Sequence, residues 1–92
     1  MISENTEVEL EKELEFLTEF EHEIVLYNDD VNTFDYVIST LINICKHTME
    51  QAEQCSYIVH YSGKCGVKSG SLEELKPICL KLLKASLTAE IV

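Results

Sequence analysis

Two rhythms of apolar residues divide the chain. Ile24, Val25, Leu26 and Tyr27 form a short unbroken run rich in β-branched and aromatic residues, which predicts one strand. Beyond it, Phe34, Val37, Ile38, Leu41, Ile44 and Cys45 recur at intervals of three and four, predicting an amphipathic helix capped by Asn32 or Thr33 and ending near Lys46. Thr48 and Gln51 form a capping box for a second helix, whose Met49, Ala52, Cys55, Ser56 and Val59 share one face and which Gly63 stops. Residues 64–68, KCGVK, suit a second strand, and Gly70 and Ser71 a turn. Ser71 and Glu74 repeat the capping signature ahead of Leu72, Leu75, Ile78, Cys79, Leu82 and Leu83. Pro77 interrupts that third helix and predicts a kink or a late start, because proline lacks a donor and crowds the carbonyl four residues back. The closing LTAEIV reads as a third strand.

These elements predict an α+β fold, a single small β-α-α-β-α-β domain over residues 22–92 with a three-stranded antiparallel sheet packed against helices. Residues 1–21 are different. Val8, Leu10, Leu14 and Phe16 alternate like a strand while Leu10, Leu14 and Leu17 follow a helical stripe, and like charges at close spacing oppose both. This stretch is expected to be a flexible or transiently helical acidic extension that orders on a partner.

Charge sharpens the division. The net charge is −10, and nine Glu against one Lys in residues 1–23 account for most of it. Neutralising phosphates takes Lys and Arg, and the chain has no Arg, so neither nucleic acid nor an anionic membrane is expected as a main partner. No cationic start precedes an unbroken apolar stretch in residues 1–20, and no run reaches membrane-spanning length, so a cytoplasmic location is expected. Cys45, Cys55, Cys65 and Cys79 match no common zinc or C-x-x-C spacing and read as small buried thiols, with no metal or cofactor implied.

The chemistry concentrates where the first strand ends. Asn28, Asp29 and Asp30 are ordinary turn residues, yet two adjacent carboxylates at a strand end are also suited to holding a cation. His60, near the end of the second helix, suits a helix terminus equally well. An acid pair with a histidine would fit hydrolysis, but no nucleophile motif, phosphate loop or metal-ligand set accompanies them, so no enzymatic activity is expected.

The succession LYNDDVNTFDYVI, a helix ending IVHYSGK, and then CGV resembles the ClpS family from about Glu23 to the end of the chain. That family comprises adaptors that deliver N-end-rule substrates to a Clp-type AAA+ unfoldase and its protease. The resemblance implies that Asn28, Asp29, Asp30 and His60 gather around the free α-ammonium of a substrate's first residue. It implies a neighbouring pocket for a bulky first side chain (Phe, Tyr, Trp or Leu), with Phe34, Val37, Ser56 and Val59 as lining and Asn32 and Thr33 at the rim. The implied partners are N-terminal peptides of substrate proteins and the N-terminal domain of a ClpA- or ClpC-like unfoldase, with the adaptor alone a monomer.

Some positions depart from the family pattern. Asn32 and Thr33 stand where Thr and Pro are usual, Phe34 and Ser56 stand where Met is common, and the segment joining Gly63-Lys64 to Cys65-Gly66 is two residues shorter. These departures bear on side-chain preference and on the second strand's register. The alternative is a non-catalytic interaction domain of similar fold, like the ribosomal stalk protein's C-terminal domain, which needs no amine pocket.

Overall fold

The structure is a computed structural model that describes residues 22–92; the acidic extension expected over residues 1–21 lies outside the described residues. The element order is β1 (His22–Tyr27), α1 (Phe34–Cys45), α2 (Met49–Ser62), β2 (Lys64–Gly70), α3 (Leu72–Lys84) and β3 (Thr88–Ile91). β1 lies at the centre of an antiparallel sheet in the order β2-β1-β3. Its Ile24 and Leu26 join Leu41, Cys45, Ala52, Val59, Leu75 and Leu82 in one buried core, whereas Val25, pointing the other way, is buried outside it.

Local sequence sets most boundaries. The Thr33 hydroxyl accepts from the Tyr36 N–H and opens α1, which ends as Lys46 turns left-handed at φ 60°. Thr48 and Gln51 form the full reciprocal box that opens α2. At Ser71 only half the box forms. Its hydroxyl accepts from the Glu74 N–H, while the Glu74 carboxylate turns toward the backbone of Gly70.

Three features differ from the sequence expectation. Pro77 neither delays nor ends α3, which starts at Leu72 and runs through it. Both Pro77 and Glu73, whose carbonyl loses its partner, are exposed, so water takes the place of the missing donor. β2 extends two residues further, to Gly70, and its register shifts between Ile24 and Val25, leaving Val67 as an extra residue that turns into the core. Met49, expected on the inner stripe of α2, is 57% exposed, and Leu72 and Leu83 lie at the outer edge of α3.

Two cysteines, Cys45 and Cys79, are core residues; Cys55 and Cys65 are half-buried neighbours. Burial pushes the Cys45 thiol up to about 11, despite the opposing pull of Lys68. Burial, aided by Cys55, pushes Cys65 up to about 12. Both are therefore poor nucleophiles at neutral pH.

Gly63 links the fold to the site. It closes α2 at φ 90°, donates its N–H to the Val59 carbonyl, and accepts the Asn28 N–H at 2.9 Å, tying the end of β1 to the end of α2. A Cβ there would meet nothing within 4 Å, so Gly63→Ala carries only the cost of left-handed backbone. We expect a stability loss of about 1 kcal/mol, read as a lower urea midpoint at unchanged slope. An unchanged midpoint would mean that the cap relaxes freely.

Candidate functional site

A small cavity opens between the β1–α1 loop and the facing sides of α1 and α2. Asn28, Asn32, Phe34, Val37, Ser56, Val59 and His60 line it. The strand end delivers Asn28, the first turn of α1 delivers Phe34 and Val37, and α2 contributes Ser56, Val59 and His60 from one face at helical spacing. All seven belong to the set expected from sequence. Asp29, Asp30 and Thr33 do not line the cavity.

Asp29 organises the loop instead. One carboxylate oxygen accepts the backbone N–H groups of Val31 (2.9 Å) and Asn32 (2.8 Å), and the other accepts from the Asn32 side-chain amide at 2.8 Å. Burial works against its ionisation, but the hydrogen bonds from Asn32 and Val31 together outweigh it and hold the carboxyl below its ordinary range. Asp30 is exposed beside it. The loop therefore carries negative charge at the mouth without placing the Asp29 carboxylate in the cavity wall.

Asn32 is held from two sides. Its amide donates to Asp29 and also to the carbonyl of Ser86, both at 2.8 Å. Among the described residues its side-chain oxygen accepts no hydrogen bond, which leaves an acceptor at the cavity. Ser86 sits in a left-handed turn (φ 69°) between α3 and β3, and Tyr36 donates its hydroxyl proton to the adjacent Ala85 carbonyl at 2.6 Å. Sequence reasoning did not find these anchors, since carbonyls 54 and 49 residues away leave no local signal.

The apolar half is tight. Ser56 is buried and donates its hydroxyl to the Ala52 carbonyl, so it offers the cavity a small wall. The Phe34 ring rests against His60 (centroids 5.0 Å apart) and Tyr57 (5.3 Å). The free volume is about 30 Å³, room for about two or three waters and well short of a phenyl ring. A large side chain fits only if lining side chains move.

Chemically, the site offers acceptors without a donor-rich or metal-binding centre. Asn28, Asn32 and His60 can each present a neutral acceptor, with the loop carboxylates adding negative potential. No group of three His, Cys, Asp or Glu that could hold a metal gathers among the described residues. Two wider hollows lie elsewhere: one between α1 and α2, where Asp35, Ser39, Asn43 and Glu53 surround Ile38, Ile42 and Met49, and a mostly polar one around His47 and Lys68.

Comparisons with known proteins point to one family. The family model described as "ATP-dependent Clp protease adaptor protein ClpS" matches residues 18–90. The ClpS adapter protein of Oleidesulfovibrio alaskensis is 36% identical over 75 residues, covering 79% of this chain and 70% of that protein. That of Campylobacter jejuni is 40% identical over 48 residues, half of each chain, so the match spans only about half the length of that relative. Among solved structures, Agrobacterium tumefaciens ClpS2 bound to L-phenylalaninamide shares the fold with a TM-score of 0.65 at 15% identity, covering 77% of this chain and 93% of that one.

Proposed function

The chain belongs to the ClpS family, and from that membership we propose that it is a non-enzymatic adaptor that binds the free α-amino group and bulky hydrophobic first side chain of substrate proteins and hands them to a Clp-type AAA+ unfoldase. The observation that carries the reading is one cavity in which polar acceptors meet an apolar wall, lined by Asn28, Asn32 and His60 on one side and Phe34, Val37, Ser56 and Val59 on the other. An α-ammonium has three donors and no acceptor, and three neutral acceptors beside two carboxylates suit it. The L-phenylalaninamide bound by the Agrobacterium relative has the same two parts, a free amine and an apolar ring.

Fluorescence anisotropy tests the recognition step. A peptide beginning with unblocked Phe binds, and its N-acetylated twin does not. Affinity falls as pH rises past the amine's ordinary range of about 7.7 to 8.0, because the neutral amine loses its charge and one donor. Equal binding of both peptides would favour a docking surface that needs no amine. Faster degradation of a Phe-initiated reporter by a purified Clp unfoldase and protease on adding the adaptor tests delivery.

A further inference from the structure

The cavity has a second lip that the proposed function does not use. On α2, Tyr57 and Tyr61 stand one turn apart, one position beyond Ser56 and His60, with their rings stacked at a centroid separation of 5.9 Å and 9° between planes. They are 56% and 75% exposed, and among the described residues neither hydroxyl makes a hydrogen bond. Neither ring belongs to the core, so packing does not account for the pair.

The stack is continuous with the cavity. Tyr57 touches Phe34 at 5.3 Å, and Tyr61 meets the His60 ring edge-on at 4.9 Å. These contacted rings are cavity-lining residues. A chain whose first residue fills the cavity must leave past the side chains that flank it, and the tyrosine pair, packed on Phe34 and His60, is one such flank. Glu53 extends the tyrosine line by one turn, and the loop of residues 28–33 holds no cation. Aromatic faces carry partial negative charge, so a flat cation lying on this lip is attracted by the rings, and the acidic residues on α2 and in the loop add to the local negative potential.

We propose that Tyr57 and Tyr61 form a subsite for the second residue of the bound chain and select arginine there. The proposal rests on the amine-binding reading of the neighbouring cavity. Guanidinium is planar and stacks on rings more readily than the strongly hydrated ammonium of lysine, so the order is Arg, then Lys, then Ala.

The test uses the full chain and anisotropy peptides beginning Phe-Arg, Phe-Lys and Phe-Ala, each with an N-acetylated twin. Phe-Arg is expected to bind about two- to fivefold tighter than Phe-Ala, the range for an exposed cation on a ring. In the double variant Tyr57→Leu/Tyr61→Leu, which keeps apolar bulk on exposed helix positions, that ratio falls toward one while Phe-Ala affinity stays within about twofold. Tyr61→Phe keeps a ring and retains the preference. An Arg-to-Ala ratio that survives the double variant, or that is one in the native chain, overturns the subsite and leaves the amine site standing. Acetylated twins that bind as well as the free peptides overturn the amine reading, and the subsite with it.

Discussion

Replacing Phe34 with Ala is expected to erase discrimination against Ile and Val across a panel of peptides differing only in the first residue. In the native chain the Phe34 ring rests on Tyr57 and His60 and leaves a free volume of only about 30 Å³ beneath it. On the proposed reading, we expect a first side chain to enter by displacing that ring, and β-branched residues carry a second γ-substituent close to the backbone, where the ring must pass. Removing the ring opens the mouth and takes away the repulsive element that rejects them. Ile and Val peptides should gain about tenfold relative to Phe, at the lower end of what a pocket extracts from a small steric difference. Association of the Phe peptide should also become faster, because the open state no longer has to be selected before binding. The fold survives. Phe34 is half-buried, so its truncation costs less than the roughly 3 to 5 kcal/mol of a core phenylalanine. A preference order unchanged by Phe34→Ala would make this ring plain packing.

What could be read from the sequence follows the range of the interactions involved. Helix starts at Thr33, Thr48 and Ser71 and the stop at Gly63 are decided within four residues, and all are legible. The seven lining residues are legible for a related reason. They come from a strand end and two helix faces whose periods place them, and the family resemblance implies the roles proposed for them. Non-local or solvent-compensated features are not legible. The Asn32 amide is fixed by a carbonyl 54 residues on, Val67 slips out of register to fill the core, and Pro77 is accommodated on an exposed stretch of α3, where the Glu73 carbonyl loses its helix donor. Asp29 shows the difference within a single motif. The pair of carboxylates was identifiable, but only the hydrogen bonds show that one of them builds the loop and leaves the cavity wall to Asn28 and Asn32.

That division of labour makes Asp29→Asn more damaging than its near-identical shape suggests. The carboxylate accepts three hydrogen bonds, two from backbone N–H groups and one from the Asn32 amide. An asparagine at position 29 can still accept the backbone pair through its oxygen, but its nitrogen then faces the Asn32 nitrogen, two donors with no acceptor between them. The conflict is relieved by turning the Asn32 amide over, which breaks its 2.8 Å bond to the Ser86 carbonyl and takes the acceptor oxygen away from the cavity. The substitution also removes a negative charge from the mouth. Losing one charge-assisted acceptor and one neutral hydrogen bond corresponds to roughly a 30-fold loss of peptide affinity, with His60 and the apolar wall untouched. The pH dependence has a defined sign. Because the folded-state pKa of Asp29 lies below its unfolded value, its contribution to stability is complete above about pH 4 and is lost as pH falls through the lowered folded value. Asp29 therefore leaves stability level between neutrality and about pH 4, and the urea midpoint of Asp29→Asn should fall less than that of the native chain between pH 7 and about pH 3. Titration calorimetry with a Phe-initiated peptide measures the affinity loss, and urea titrations at pH 7 and about pH 3 measure the linkage. Native affinity in Asp29→Asn would show that the loop keeps its shape without the carboxylate, and that Asn32 is not the acceptor it presents.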